Sequence, residues 1–171
     1  MKALTLNQFN GLSKKEATEV LAHCCGASLW VNQMESLRPF QSRKAICEAA
    51  SKVWNRLSEK DWKEAFTHHP KIGDLESLKK KFASTRAWAA EEQKGSAEAS
   101  VSVLQALALA NQTYENRFGY IFIVCATGKT AEEMLSLLEV RLTNEPEVEI
   151  KVAAEEQSKI MQIRLEKLIH E

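Results

Sequence analysis

Apolar residues recur at helical spacing along most of this chain, and nearly every recurrence follows a residue able to cap a helix. Ser13 with Glu16 forms a capping box ahead of Ala17, Val20, Leu21 and Cys24, a stripe that Gly26 ends. Ser28 is placed to cap a short segment with Leu29, Trp30 and Met34 that stops before Arg38-Pro39. Ser42 is placed ahead of Ile46, Ala50, Val53 and Leu57, and Ser58 ahead of Trp62 and Phe66. Further on, Asp74 is expected to cap Leu75 to Phe82, and Ser84 or Thr85 a helix through Trp88 to Gln93 that Gly95 interrupts. Ser96 opens a long helix with Val101, Leu104, Leu107, Ala108 and Tyr114. Thr130 with Glu133 makes another capping box before Met134, Leu137, Leu138 and Leu142, and Asn144 with Pro146 starts the last long helix.

One run breaks the pattern. Tyr120 to Ala126 is apolar, partly β-branched and bounded by Gly119 and Gly128, yet it has no second run to pair with. It reads as a buried extended connector between helices. Repeats, low-complexity tracts and linkers are absent, so the expected architecture is all-α: a single compact domain over residues 1–171, of about eight helices with one buried extended connector.

Composition narrows the class. With 171 residues, 44% hydrophobic and 27% charged, the chain is an ordinary globular domain. Lysine plus arginine and aspartate plus glutamate both number 23, so the formal charge is zero and the basic footprint of a nucleic-acid or membrane-surface binder is missing. The start of the chain does not read as a leader and no apolar run suits a bilayer, so a cytoplasmic protein is expected. Cys24, Cys25, Cys47 and Cys125 show no C-x-x-C spacing and are expected as buried free thiols.

The candidate chemistry centres on His69. Pro70 removes a donor and biases His69 away from helical backbone, Gly73 permits a turn, and Asp74 can cap the next helix, so an imidazole is set on a rigid loop. A second departure lies in the last helix. Ala153, Gln157, Ile160, Met161, Arg164 and Leu168 share one face, so Gln157 and Arg164 interrupt an apolar stripe. An arginine there either snorkels or makes a structural pair, or offers its planar fork to an anion or a ureido carbonyl. A third lies at Glu91-Glu92-Gln93, where a carboxylate and an amide fall close to Gly95. Other constellations fail: His68-His69 has no third ligand at metal spacing, and there is neither a phosphate-binding glycine loop nor a G-x-S-x-G elbow. No metal or cofactor site is expected. The four tryptophans, Trp30, Trp54, Trp62 and Trp88, stand singly on different helices and read as core or pocket walls.

Taken in order, these signals resemble the 2-oxo-4-hydroxy-4-carboxy-5-ureidoimidazoline (OHCU) decarboxylase family. The resemblance runs through Cys24-Cys25-Gly26 with Trp30, Arg38-Pro39-Phe40, His69-Pro70-x-Ile72-Gly73, Glu92-Gln93-x-Gly95, Asn111 with Tyr114, Phe118-Gly119 before Phe122-Ile123, Arg141-Leu142-x-Asn144, and Lys159-Ile160 before Arg164-Leu165. It implies an all-helical, commonly dimeric protein that takes OHCU to (S)-allantoin in urate breakdown without metal or organic cofactor. It also implies that His69, Glu92 and Arg164 carry the catalysis. Pro70, Gln93 and the position of Ala89 would line the substrate, with the connector residues Phe122, Ile123, Val124, Cys125 and Ala126 as a backbone platform for the planar ring. Members often carry serine where this chain has Ala89, so one hydroxyl contact is missing or replaced by water. The implied partner is a small-molecule substrate, with a second copy of the chain as homodimer.

Two rivals belong to other classes. A non-catalytic helical module binding a ligand or protein would tolerate changes at His69 and Glu92. A zinc amidohydrolase built on His68, His69 and a carboxylate would carry stoichiometric metal.

Overall fold

The computed structural model describes residues 3–69 and 94–170, with the side chains of residues 94–100 left aside. The predicted helices over Leu75–Phe82 and Trp88–Gln93 lie outside the described residues. Elsewhere the expected helices form, and the all-α reading holds. They are α2 (Lys14–Cys24), α3 (Ser28–Ser36), α4 (Arg43–Trp54), α5 (Glu59–Thr67), α6 (Lys94–Phe118), α7 (Ala131–Arg141) and α8 (Pro146–Leu168). The capping boxes at Ser13/Glu16 and Thr130/Glu133 are both formed, and Ser42 accepts from the Ala45 N–H. Pro146 opens α8 at the position where a missing N–H costs nothing.

Three local expectations change. Ser28 is not the cap of α3: Ala27 holds that position, and the Ser28 hydroxyl donates to Glu64 on α5 instead. Gly95 does not interrupt, because α6 begins at Lys94 and Gly95 falls in its first turn, where N–H groups lack helical partners in any sequence. A short α1 (Leu6–Asn10) also precedes α2, carried by a Thr5/Gln8 capping box. Just before it, β1 (Leu4–Thr5) pairs in parallel with β2 (Ile169–His170), Leu4 opposite Ile169 and Thr5 opposite His170.

The chain divides into two compact units, residues 1–69 with 154–171, and residues 70–153. In the first, α3 packs against α2, α4 and α5. Its core is built from Phe9, Leu21, Trp30, Met34, Ile46, Trp54, Met161, Leu165 and Leu168, all buried. The indole N–H groups are satisfied as burial requires: Trp30 donates to the Ala50 carbonyl at 3.1 Å and Trp54 to the Ala154 carbonyl at 3.0 Å. In the second unit α6 packs on α7, and Leu104, Leu107, Tyr114, Met134 and Leu138 are buried.

α6 ends where Gly119 takes φ +76°, a left-handed conformation that L side chains rarely adopt, with its N–H bonded to the Glu115 carbonyl at 2.8 Å. Residues 121–126 then run without helix or strand to the Gly128 turn, as expected of a connector. Phe122 and Ile123 are buried, while Val124, Cys125 and Ala126 are half-buried.

Candidate functional site

In the first unit, the C-terminal end of α2 and the two residues after it lie against Arg164 and against His68, the residue before His69. Arg164 reaches from α8 to the carbonyls of His23 and Cys24, at 3.3 and 3.4 Å, both from one terminal nitrogen. These are among the last carbonyls of α2, which have no partner inside the helix and lie at its negative end, so a guanidinium is favoured there. Both contacts are long, and among the described residues no carboxylate pairs with Arg164. Much of its fork is uncommitted to them.

Two residues further on, Gly26 meets His68. A Cβ at Gly26 would stand 2.3 Å from His68 Cγ and 2.6 Å from His68 Cβ. The His68 Cβ is fixed by its backbone, so no change of rotamer relieves the contact and the position accepts only glycine while the His68 backbone stays in place. His68 caps α5, its N–H bonded to the Ala65 carbonyl, and the His69 N–H follows to the Phe66 carbonyl at 3.1 Å. His69 thus begins the predicted loop immediately past the helix, half-buried. Residues 23–26 thereby meet both Arg164 and His68.

Cys24 and Cys25 sit inside this segment. Burial pushes both thiols up to about 12, and the nearby Arg164 charge, which pulls the other way, is outweighed. Both remain neutral thiols at physiological pH and pack as small apolar side chains, as the spacing suggested.

α8 contributes a second polar interruption. Gln157 is fully buried, and neither atom of its amide has a hydrogen-bond partner among the described residues. Such a group costs on the order of 1–3 kcal/mol.

In the second unit the connector is held by a buried ionic network. Arg141 Nε and Nη2 donate to Glu149 Oε1, the former at 2.8 Å, and Nη1 donates to the Ile123 carbonyl at 2.7 Å. The Tyr114 hydroxyl donates to the same carboxylate oxygen, and Asn144 donates to the other at 2.7 Å. Burial, with the Glu149 carboxylate beside it, drives the Tyr114 phenol strongly upward, so it stays a donor at every practical pH. The guanidinium lies over the Phe122 ring, 4.6 Å from its centroid, and Tyr114 meets the same ring edge-on at 5.1 Å.

Two of the connector's carbonyls therefore have partners within the unit. The Ile123 carbonyl is taken by Arg141, and the Ala126 carbonyl accepts from the Lys129 N–H at 3.2 Å. The physical reason is the ordinary demand that buried carbonyls be satisfied. Sequence reasoning placed Arg141, Tyr114 and Asn144 in a motif without a task; the available signal was an arginine on the face of α7 that also carries Met134 and Leu138.

Of the predicted site residues, then, the structure places His69 and Arg164 in the first unit and Phe122, Ile123, Val124, Cys125 and Ala126 in the second. Pro70, Ala89, Glu92 and Gln93 lie outside the described residues. Among the described residues, no group of three His, Cys, Asp or Glu side chains could hold a metal ion.

Comparison with known proteins completes the picture. The family model of the OHCU decarboxylases matches residues 10–166. The chain is 41% identical over 145 residues to the "Uric acid degradation bifunctional protein TTL" of Arabidopsis thaliana, covering 85% of itself but only 45% of that protein. It thus spans about half of that relative, and a third of a similar bifunctional protein from Bacillus sp. strain TB-90. By contrast it covers 95% of the OHCU decarboxylase of Amia calva, at 30% identity. A crystal structure of an OHCU decarboxylase in the presence of (S)-allantoin superposes with TM-score 0.68 and 37% identity, over 88% of this chain and 96% of that one. An (S)-allantoin synthase structure shares the fold at TM-score 0.71 and 19% identity. The chain belongs to the OHCU decarboxylase family.

Proposed function

We propose that this chain decarboxylates OHCU to (S)-allantoin in urate breakdown, with residues 1–171 working as one decarboxylase domain. The observation that carries the reading is a shared contact: residues 23–26 meet both Arg164 and His68, the residue before His69. Relatives named for this reaction, including one structure determined in the presence of its product, support it.

The chemistry asks the protein for orientation and for proton transfers. When the bond from the ring carbon to the carboxylate breaks, its electron pair passes into the adjacent ring imine, so the substrate is its own electron sink and no cofactor is needed. Carbon dioxide leaves and the imine nitrogen takes a proton; the enol so formed then loses its hydroxyl proton to become the carbonyl while the neighbouring ring carbon takes one. In this reading His69 hydrogen-bonds the 4-hydroxyl or carboxylate and delivers that proton to one face, which sets the (S) configuration. Arg164 holds an anionic or carbonyl oxygen with the part of its fork not bound to α2. Glu92 orients the ureido or ring N–H groups and tunes His69, Gln93 completes amide recognition, and Pro70 and Ala89 line the ring. The Phe122–Ala126 connector is the platform for the planar ring.

No described helix is long and apolar enough to cross a membrane, and a cytoplasmic location is part of the proposal. So is a homodimer, in which Leu109, Val140 and Val148, 71%, 66% and 52% exposed, are the apolar side chains available to be covered. Light scattering after size exclusion tests the dimer directly.

The test of the reaction follows circular dichroism while urate oxidase and the matching hydrolase generate OHCU in situ. Rapid appearance of optically active (S)-allantoin with this protein, lost in His69→Asn, is the expected result. Racemic product at the spontaneous rate overturns the reading in favour of a non-catalytic module.

A further inference from the structure

We infer that Arg141 is a positioning residue for the substrate ring, acting through the Ile123 carbonyl. The inference rests on the proposed use of the connector as ring platform and assigns the group that sets its height and tilt.

Three features separate this arginine from an ordinary ion pair. First, its fork is divided: Nε and Nη2 go to Glu149, while Nη1 alone is directed at the connector backbone, at 2.7 Å. A pair needed only for stability would be complete with Glu149. Second, the orientation of the fork is fixed from several sides. Tyr114 and Asn144 donate to the two oxygens of the same carboxylate, so Glu149 cannot rotate without breaking bonds to α6 and to the turn before α8. Third, the guanidinium also covers the Phe122 ring, so it restrains one connector residue through its side chain and the next through its carbonyl.

The carbonyl of Ile123 belongs to the same peptide plane as the N–H of Val124. Fixing the carbonyl direction therefore fixes where the Val124 N–H points, which is the first connector donor beyond the buried Phe122 and Ile123. Residues 121–126 take no part in helix or sheet, so no ladder bond sets the direction of the Ile123–Val124 peptide and the Arg141 contact does. The residue type matters as much as the charge. A lysine ammonium can neutralise Glu149, but it offers no planar fork able to serve carboxylate and carbonyl together.

The test is Arg141→Lys, with Glu149→Gln as a second variant that keeps shape should the first fail to fold. Substrate is generated in situ, and (S)-allantoin serves as the binding probe in calorimetry. A platform binds substrate and transition state alike, so its loosening is expected to raise KM and the (S)-allantoin Kd about tenfold while kcat changes less than threefold. Hydrogen exchange at the Val124 amide should accelerate in parallel. A merely structural arginine gives the opposite split: a smaller active fraction lowers apparent kcat and leaves KM and Kd unchanged, and that result overturns the inference. If the unmodified protein forms no (S)-allantoin, the reaction assignment has failed. The clamp is still judged by Val124 exchange, where wild-type protection in a folded Arg141→Lys protein refutes it.

Discussion

Two arginines, one in each unit, invert each other's commitments. Arg141 is 6% exposed and has all three of its nitrogens engaged, two of them by a fully buried carboxylate. Arg164 is half-buried and spends one nitrogen on two long contacts to the end of α2. A saturated guanidinium defines structure around itself; an under-committed one retains donors for something that arrives. The difference separates a residue that shapes the connector from one suited to grip an anion or a carbonyl.

Substitution should split the two cleanly. Arg141→Met leaves Glu149 buried without its cation and is expected to cost about 3–5 kcal/mol of stability, read from the denaturant midpoint. Arg164→Met should leave that midpoint within about 1 kcal/mol, because only two long hydrogen bonds are lost. Its cost falls on catalysis, with kcat/KM down by at least about 100-fold, the scale of losing a preorganised donor to developing charge. An Arg164 variant that melts early but turns over normally would erase the distinction.

The segment beside Arg164 can be challenged next. Gly26→Ala drives a methyl into His68 and is expected to cost about 1–3 kcal/mol, the usual range for overpacking. It should lower turnover by displacing the His68–His69 turn; unchanged stability and activity together would mean that the turn has slack. The smallest effect is expected at Gln157. Gln157→Met keeps volume and removes two buried polar atoms that have no partner among the described residues, so stability should rise by about 1 kcal/mol. A loss there would show that the amide has a partner such as internal water.

Much of this was legible in the sequence, for identifiable reasons. Helices announced themselves through capping boxes and periodic apolar stripes, which are local signals; Ser13/Glu16 and Thr130/Glu133 needed no tertiary context. α1 escaped because five residues are too few for a period, although Thr5 and Gln8 spelled its cap. The β1–β2 pair escaped because two-residue strands far apart in the chain carry no local pattern. Pro70 after His69 and the charged interruption at Arg164 flagged candidate chemistry without a structure. What the sequence could not reveal was the partner of each arginine. Arg141 meets Glu149 eight residues on, but also a carbonyl eighteen residues back and a hydroxyl twenty-seven back. Only folding determines which fork is filled.

The central claim is that His69 and Arg164 act on one small molecule, and a double-mutant cycle tests it most directly. Turnover of OHCU generated in situ is measured for His69→Asn, Arg164→Met and the double variant, each verified as folded. Residues acting as a unit are strongly non-additive, so the double variant should be no more than about threefold worse than His69→Asn alone. Losses that multiply would contradict a shared site.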